Sequence, residues 1–280
     1  MKIGKYQIHI IHSGFFYLDG SAMFGIIPKP LWEKTNPADE ANRIKLATRN
    51  LLLVSDDKKI LIDTGMGKKW SMKSVEIYRI EQNEFSFKSS LAKLQIKPED
   101  ITDVLLTHLH FDHTGGSTEM IDGKLIPAFR NARYHVSEKN FNWAMNPSER
   151  DKGSYIKDNF LPLFENDVLL FTKDNFFADG IELIEVNGHT FGMQLAKISD
   201  SSNTVLFCAD LFPTSSHIPM PYVMGYDLQP LVTVEEKKQI LPKVVEENWK
   251  LCFEHDPMYA FATVEKTNTG FSVKEKFNEF

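Results

Sequence analysis

Side chains that could bind a metal are concentrated in one short segment near the middle of the chain, residues 107–116. Its histidines and aspartate are His108, His110, Asp112 and His113, spaced as His-x-His-x-Asp-His. They follow the apolar run 104–106, which predicts a strand that ends where the ligands begin. Imidazole and carboxylate groups directed at one point suit zinc or a similar first-row metal ion. Gly115 and Gly116 permit the tight turn that follows.

Three further candidate ligands stand later in the chain, each after a short apolar run: His189, Asp210 and His255. A single histidine beside an apolar run is usually a core or loop residue. The remaining histidines are therefore not expected to bind a metal, and these are His9, His12, His135 and His217. The cluster at 108–113 is different, because chance alone does not readily bring three imidazoles and a carboxylate together at this spacing.

The order of these residues resembles the signature of the metallo-β-lactamase superfamily, in which His-x-His-x-Asp-His is followed by a separate His, Asp and His. Residues 60–65, Ile-Leu-Ile-Asp-Thr-Gly, match the family's early strand-turn element. Four stretches are similar to a bacterial group of quorum-quenching N-acyl-homoserine lactonases: 19–25, 208–214, 223–227 and 253–256. The resemblance covers nearly the whole chain. It implies an α/β fold, a four-layer αβ/βα sandwich with metals at the edge where the sheets meet.

The resemblance also implies two divalent metal ions, with zinc expected and manganese or iron as alternatives. The ligands are then His108, His110 and His189 on one ion, Asp112, His113 and His255 on the other, and Asp210 on both. Two adjacent ions can share a hydroxide that attacks a substrate carbonyl. Asp112 is expected to pass a proton to the departing alkoxide. Asp112 and Asp210 are therefore the predicted catalytic residues of a lactonase that opens N-acyl-homoserine lactone-type rings.

One position departs from the lactonase pattern. Lactonases of this type carry a tyrosine three positions after the bridging aspartate, where it helps to hold the substrate carbonyl, and Pro213 stands there in this chain. Tyr222, Tyr226 and His217 lie on the following loop and are candidates to replace it. The alternative is another substrate: a thioester such as an acylglutathione, a phosphodiester or a different lactone.

Other classes related to this signature can be sorted by single residues. A mononuclear iron persulfide dioxygenase keeps many of the same residues and stays open as a non-hydrolase alternative. A flavodiiron oxidoreductase would carry Glu in place of His110 and a further flavodoxin-like region. True β-lactamases generally lack the aspartate that Asp210 supplies. A non-enzymatic module is disfavoured because all seven expected ligands are present.

The ligands must be positioned by strands, and the apolar runs predict nine of them: 6–11, 50–54, 59–63, 103–107, 133–136, 181–186, 193–198, 203–209 and 250–253. The clearest predicted helix covers 233–249, with Thr233 and Glu236 as a capping box. Pro242 is expected to kink or shorten it. Strands and helices of this kind fit one domain over residues 1–280.

Regions 14–37 and 211–230 are rich in glycine, proline, methionine and aromatic residues. Long loops of this composition either cap a core or line a substrate pocket, and an apolar lining suits an acyl chain. The predicted substrate-binding residues are Phe24, Phe111, His217, Tyr222, Met224 and Tyr226. The expected partner is a small molecule with an apolar acyl group.

Composition narrows the remaining choices. The 280 residues are 42% hydrophobic and carry a net charge of -6, so the chain lacks the positive field that nucleic-acid binding exploits. Cys208 and Cys252 lie in apolar runs and are expected to be reduced core residues. The first twelve residues are too polar for a signal-peptide core, and no long apolar span follows. A cytoplasmic location and no membrane contact are expected, and a homodimer stays open.

Overall fold

The computed structural model describes residues 1–81 and 87–279. In chain order, the first nine strands are β1 (Lys2–Ile3), β2 (Tyr6–Asp19), β3 (Arg43–Val54), β4 (Lys59–Ile62), β5 (Asp103–Leu105), β6 (Thr118–Ile121), β7 (Lys124–Pro127), β8 (Arg133–Ser137) and β9 (Leu169–Thr172). The next seven are β10 (Phe176–Ala178), β11 (Ile181–Val186), β12 (Met193–Ser199), β13 (Thr204–Phe207), β14 (Lys250–Cys252), β15 (Phe261–Thr267) and β16 (Gly270–Phe277). They form two seven-stranded sheets, ordered β1-β2-β3-β4-β5-β8-β9 and β10-β11-β12-β13-β14-β15-β16, and the two-stranded sheet β6-β7.

Eight α-helices lie between these strands in the described residues. They are α1 (Gly20–Phe24), α2 (Lys29–Trp32), α3 (Met72–Tyr78), α4 (Phe87–Lys93), α5 (Phe111–Thr114), α6 (Glu138–Met145), α7 (Leu161–Glu165) and α8 (Pro230–Glu246). Single 3₁₀ turns occur at Pro98–Asp100, Lys152–Ser154, Lys157–Asn159, Ala209–Leu211 and Ser215–His217. Within residues 1–81 and 87–279, none of the helices has the length and apolar character needed to cross a membrane.

The chain divides into two compact units. The first comprises Met1–Gly14 and Thr48–Asn175, and the second comprises Phe15–Ala47 and Phe176–Phe280. The expectation of a single domain over 1–280 is not tested by this division and stays a prediction.

The core of the first unit is built on parallel strands. β4, β5, β8 and β9 pair in parallel, with Ile62 opposite Leu105 at the end of β4 and β5. Apolar side chains of the strands, such as Leu61 and Val104, pack with Leu91 of α4 and Phe141 of α6. Parallel strands buried in this way read as continuous apolar runs, which is why the sequence predicts them well.

The second unit places β13 beside β14 in parallel, with Phe207 opposite Cys252. Its core packs strand residues such as Leu195 and Leu251 against Leu241 and Val244 of α8. Cys208 and Cys252 are buried and in the thiol form, as expected from the sequence.

The strand predictions are confirmed in position, but several lengths are wrong. β2 extends to Asp19 and β3 starts at Arg43, so the region 14–37 holds a strand end and the helices α1 and α2. Aromatic residues favour extended backbone that is partly buried, and this explains why β2 continues through residues 15–17. The apolar runs did not predict β1, β6, β7, β9, β10, β15 and β16.

The predicted start of the long helix is also wrong. α8 begins at Pro230 with Gln229 as its N-cap, so Thr233 and Glu236 lie inside the helix and do not form a capping box. A proline at the first helical position needs no intrahelical hydrogen-bond acceptor and favours this earlier start. The helix continues through Pro242 to Glu246, and burial of Ile240, Leu241 and Val244 stabilises its last turns.

Candidate functional site

Two polar residues meet at the carboxyl ends of β4 and β5 in the first unit. Because these strands are parallel, Asp63 and Thr107 emerge at the same edge of the sheet. Asp63 accepts hydrogen bonds from the backbone N–H of Thr107 at 2.7 Å and from its hydroxyl at 2.6 Å. Asp63 has a φ of 57°, a left-handed conformation that a residue other than glycine rarely adopts. The start of the His-x-His-x-Asp-His segment is therefore held by β4.

The four candidate ligands of this segment are buried next to one another. His108 Nε2 lies 3.0 Å from His110 Nδ1, so these two nitrogens converge on one point. Asp112 Oδ2 lies 4.0 Å from His113 Nε2. The segment thus presents two pairs of donor atoms, His108 with His110 and Asp112 with His113, which is the division that the family pattern implies.

The second unit brings together the other three candidates at the edge formed by β13 and β14. Asp210 and His255 each follow the end of their parallel strand by three residues, so they share that edge. Asp210 Oδ2 lies 3.0 Å from His189 Nε2, and Asp210 Oδ1 lies 3.1 Å from His255 Nε2. The two carboxylate oxygens of Asp210 therefore face different imidazoles. Ala209, just before Asp210, has a φ of 42°, so the chain accepts local strain at this turn.

Oxygen atoms hold the Nδ1 side of four candidate histidines. The pairs are His108 with the Thr107 hydroxyl at 3.1 Å, His113 with Asp63 at 3.0 Å, His189 with Asp227 at 3.0 Å, and His255 with the carbonyl of Ala47 at 2.8 Å. Metal-binding histidines commonly donate their second N–H to a carboxylate or carbonyl, which fixes the tautomer and leaves Nε2 to coordinate. The donor atoms of this chain therefore fit divalent metal ions.

The negative charges of Asp210 and Asp227 beside His189 also favour binding of a cation. Burial lowers the pKa of His189, but the carboxylates of Asp210 and Asp227 outweigh burial and raise it to about 9. Two carboxylates flank one buried imidazole, and this local negative charge suits a cation.

The structure buries several of the predicted substrate-binding residues. Phe24 is 0% exposed and stacks on His217 and on Trp32, with ring centroids 4.6 and 5.3 Å apart. Tyr222 packs edge-on against Phe24 at 6.1 Å. His217 Nε2 lies 2.9 Å from the carbonyl of Met23, and its Nδ1 lies 2.8 Å from the Thr214 hydroxyl. These side chains form an aromatic cluster within the second unit, and their role in substrate binding stays a prediction.

The remaining substrate candidates have different surroundings. Met224 is buried, whereas Tyr226 is 37% exposed. Phe111 belongs to the first unit and packs against Trp70 and Tyr78, at centroid distances of 5.4 and 5.1 Å. Trp70 and Tyr78 were not among the predicted site residues. Burial, and to a lesser extent the Asp112 carboxylate, raise the pKa of Tyr78.

Asp63 and Asp227 contact candidate ligands and were not among the predicted site residues. Asp63 was noted only as part of the strand-turn motif, and Asp227 only as part of a lactonase-like stretch. Their partners lie 50 and 38 residues away along the chain. The available signal was a carboxylate directly after the buried strand β4, in a segment that continues with Thr64 and Gly65.

Comparison with known proteins agrees with this geometry. The sequence profile of the metallo-β-lactamase superfamily matches residues 46–250. An N-acyl homoserine lactonase of Bacillus cereus is 25% identical over 227 residues, which cover 77% of this chain and 83% of that protein. A Staphylococcus aureus structure described as a "probable metal-dependent hydrolase" has a TM-score of 0.90 at 30% identity, covering 100% of this chain and 99% of that one. AidC, a dizinc quorum-quenching lactonase, has a TM-score of 0.82 at 21% identity, covering 100% and 97%.

The chain belongs to the metallo-β-lactamase superfamily. It has the α/β fold of that superfamily, so the predictions of family and fold class are confirmed. The comparisons support a metal-dependent hydrolase of this fold with lactonases among its distant relatives.

Proposed function

We propose that this protein is a lactonase that opens N-acyl-homoserine lactone-type rings with the help of two divalent metal ions. The observation that carries the proposal is the orientation of the Asp210 side chain. Its two carboxylate oxygens lie 3.0 Å from His189 Nε2 and 3.1 Å from His255 Nε2. A carboxylate that only stabilised a strand end would not need two buried imidazoles in this orientation. The distant N-acyl homoserine lactonase relatives support the substrate class.

The proposed ligand division follows the family pattern. His108, His110 and His189 would hold one ion, Asp112, His113 and His255 would hold the second, and Asp210 would contribute to both. The donor pairs within the first unit and the pairing of Asp210 within the second support this division. Zinc suits this set of nitrogen and carboxylate donors, and manganese or iron are the alternatives.

When bound, the ions would supply an activated water nucleophile and polarise the substrate carbonyl. The remaining steps belong to the chain itself. Hydrolysis breaks the ring bond between the acyl carbon and the ring oxygen, and the departing oxygen must gain a proton. Asp112 is buried beside His113, and we assign its carboxylate to take a proton from the attacking water and to deliver it to that oxygen. Asp63 and Asp227 keep His113 and His189 in the tautomer that leaves Nε2 available.

Two sets of aromatic side chains are candidate partners for the apolar side of the substrate. Phe111 with Trp70 and Tyr78 offers one aromatic surface, and Tyr226 is the most exposed aromatic side chain of the predicted loop 211–230. Pro213, at the position of the lactonase tyrosine, accepts a hydrogen bond from the backbone N–H of His255 at 3.0 Å. We assign Tyr226 as the first candidate to contact the substrate carbonyl in its place, because both ring nitrogens of His217 already face protein atoms.

A substrate panel with measured metal content tests the proposal. Purified protein would be assayed side by side on N-hexanoyl-homoserine lactone, an acylglutathione, a phosphodiester and a cephalosporin, and for oxygen consumption with glutathione persulfide. We expect the highest kcat/KM on the lactone. A higher value on the thioester would make the protein a thioesterase. Iron with oxygen consumption would make it a persulfide dioxygenase.

Acyl-chain length provides a second test of the substrate class. Each buried CH₂ is worth roughly 0.8 kcal/mol, so kcat/KM should rise with chain length while the acyl group lies on apolar surface. Equal rates on the unacylated and the long-chain lactones would contradict acyl recognition by the predicted residues. A cytoplasmic location, the absence of nucleic-acid and membrane partners, and homodimer formation stay predictions.

A further inference from the structure

Two adjacent residues of opposite charge in α8 reach two different loops of the second unit. Glu236 extends to the turn that carries His189, and Lys237 extends to the segment 217–222. Neither residue has a part in the ligand set or in the proposed proton transfer. Their neighbours Glu235 and Lys238 are exposed and pair with each other.

Glu236 holds the backbone just before the candidate ligand His189. Its Oε1 accepts the N–H of Asn187 at 2.5 Å and its Oε2 accepts the N–H of Gly188 at 3.2 Å. A carboxylate that accepts two consecutive backbone N–H groups makes hydrogen bonds about twice as strong as neutral ones. The sequence predicted that Glu236 would cap its own helix, but its carboxylate is directed at another loop.

Other contacts hold the same turn on the first part of α8. The backbone N–H of Gln229 donates to the carbonyl of Gly188 at 2.8 Å, and its side-chain amide donates to the carbonyl of Asn187 at 3.0 Å. Gly188 packs so closely on Thr233 that a Cβ at Gly188 would lie 2.3 Å from its hydroxyl oxygen. Contacts with the start of α8 therefore fix the backbone that leads into His189.

Lys237 holds a second loop, the segment 217–222, by hydrogen bonds to its backbone. Its side chain is 0% exposed, and its Nζ donates to the carbonyls of His217, Pro219 and Tyr222 at 2.7, 2.8 and 3.0 Å. An ammonium group has three N–H donors, so the three carbonyls satisfy all of them. Burying a cation is costly unless it is fully hydrogen-bonded, and this arrangement therefore constrains the path of segment 217–222.

We propose that α8 carries two positioning residues for this enzyme: Glu236 sets the approach of the metal ligand His189, and Lys237 sets the conformation of segment 217–222 on the substrate side. The two roles are separable, because each side chain contacts only its own loop among the contacts described above. The proposal rests on the proposed function in taking His189 as a metal ligand and residues 217 and 222 as part of the substrate loop.

The first experiment measures zinc affinity by chelator competition in Glu236→Gln, with Glu235→Gln as the matched control. Removing the carboxylate charge frees the turn at Asn187 and Gly188. We expect the zinc dissociation constant to rise about tenfold, the lower end for residues that orient a metal ligand. Amide hydrogen exchange at Asn187 and Gly188 should also become about tenfold faster. Zinc affinity and exchange equal to those of Glu235→Gln would overturn the role of Glu236.

The second experiment compares Lys237→Met with the control Lys238→Met. We expect faster amide exchange at Tyr222, whose N–H donates to the Pro219 carbonyl, and a higher KM for N-hexanoyl-homoserine lactone with kcat little changed. Lys237→Arg keeps the charge and the donors and should restore most of both. Should Lys237→Met not fold, Lys237→Arg decides the matter. Loss of folding in both would count against a local positioning role, and so would wild-type exchange and KM in Lys237→Met.

Failure of the proposed function would look different. If the wild-type protein binds zinc but hydrolyses no lactone, the affinity and exchange measurements still test both positioning roles. If it binds no zinc, the metal assignment fails. Amide exchange at residues 187, 188 and 222, compared between each variant and its control, then tests the two positioning roles by itself.

Discussion

Asp210 combines a strand-end position with contacts to two imidazoles. Its neighbours His189 and His255 face separate carboxylate oxygens, so one substitution probes both proposed metal sites. The residue is buried, yet it belongs to an edge of the sheet and not to the apolar core.

We expect Asp210→Asn to lose metal and activity while it keeps its fold. An amide has no negative charge to offset two adjacent cations and bridges them poorly. Zinc content should fall below two equivalents and the lactonase rate by orders of magnitude, with an unchanged circular dichroism spectrum. The exposed Asp179→Asn serves as the control. Normal zinc content and a near-normal rate would remove Asp210 from the site.

His217 illustrates a buried histidine that stays neutral. Burial is the main cause that lowers its pKa, with Lys237 adding to it, and the result is a pKa of about 4. The folded protein thus binds this proton less readily than the unfolded chain does. The resulting stability is present above the unfolded pKa of 6.5 and is lost as the pH falls towards 4.

We expect His217→Gln to reduce the acid sensitivity of the metal-free protein. Urea unfolding in the presence of a chelator at pH 7 and pH 4.5 would measure the free energy of unfolding. The wild type should lose roughly 2 to 3 kcal/mol more than the variant over this interval. An equal loss in both proteins would show that His217 is not a neutral buried group.

Among the elements, α8 packs closely against the turn that carries the candidate ligand His189. Thr233 of the helix packs against Gly188 and leaves no space for a side chain there. The constraint is mutual, because the turn cannot shift without losing its hydrogen bonds to Gln229.

We expect Gly188→Ala to destabilise the protein and to weaken zinc binding. The added Cβ would lie 2.4 Å from the backbone nitrogen of Thr233, so either the turn or the helix must move. Overpacking of this kind costs about 1 to 3 kcal/mol of unfolding free energy. Gly153→Ala is the control, since a Cβ there meets nothing within 4 Å. Denaturant unfolding and zinc titration of both variants would decide it, and equal values would contradict the contact.

At the scale of the whole molecule, the number of metal ions bound per chain distinguishes the dinuclear proposal from the mononuclear alternative. Elemental analysis of protein purified without chelator should approach two zinc ions per chain. Zinc should also raise the thermal midpoint, because a ligand at one hundred times its dissociation constant adds about 2.7 kcal/mol per site to the folded state. Saturation at one equivalent with full activity would reject the dinuclear proposal and favour the mononuclear dioxygenase alternative.

The sequence alone was sufficient to single out the candidate ligands, their order and their location at strand ends. These are local properties, since an apolar run followed by polar residues marks the end of a buried strand wherever the strand lies in the sheet. The predictions for β4, β5 and β13 and for the family are confirmed for this reason. Element ends such as the start of α8 were predicted less well, because several residues in that region could cap a helix.

Only the tertiary structure decided which side chains contact those candidate ligands and which aromatic residues are buried. Asp63, Asp227 and Glu236 act on residues 38 to 50 positions away, and such contacts depend on strand register and helix docking, which no local pattern encodes. Phe24 reads as a loop aromatic in the sequence, but His217 and Trp32 enclose it in the folded unit. Local periodicity records whether a residue faces apolar surroundings, whereas the identity of its neighbours is set by how the whole chain packs.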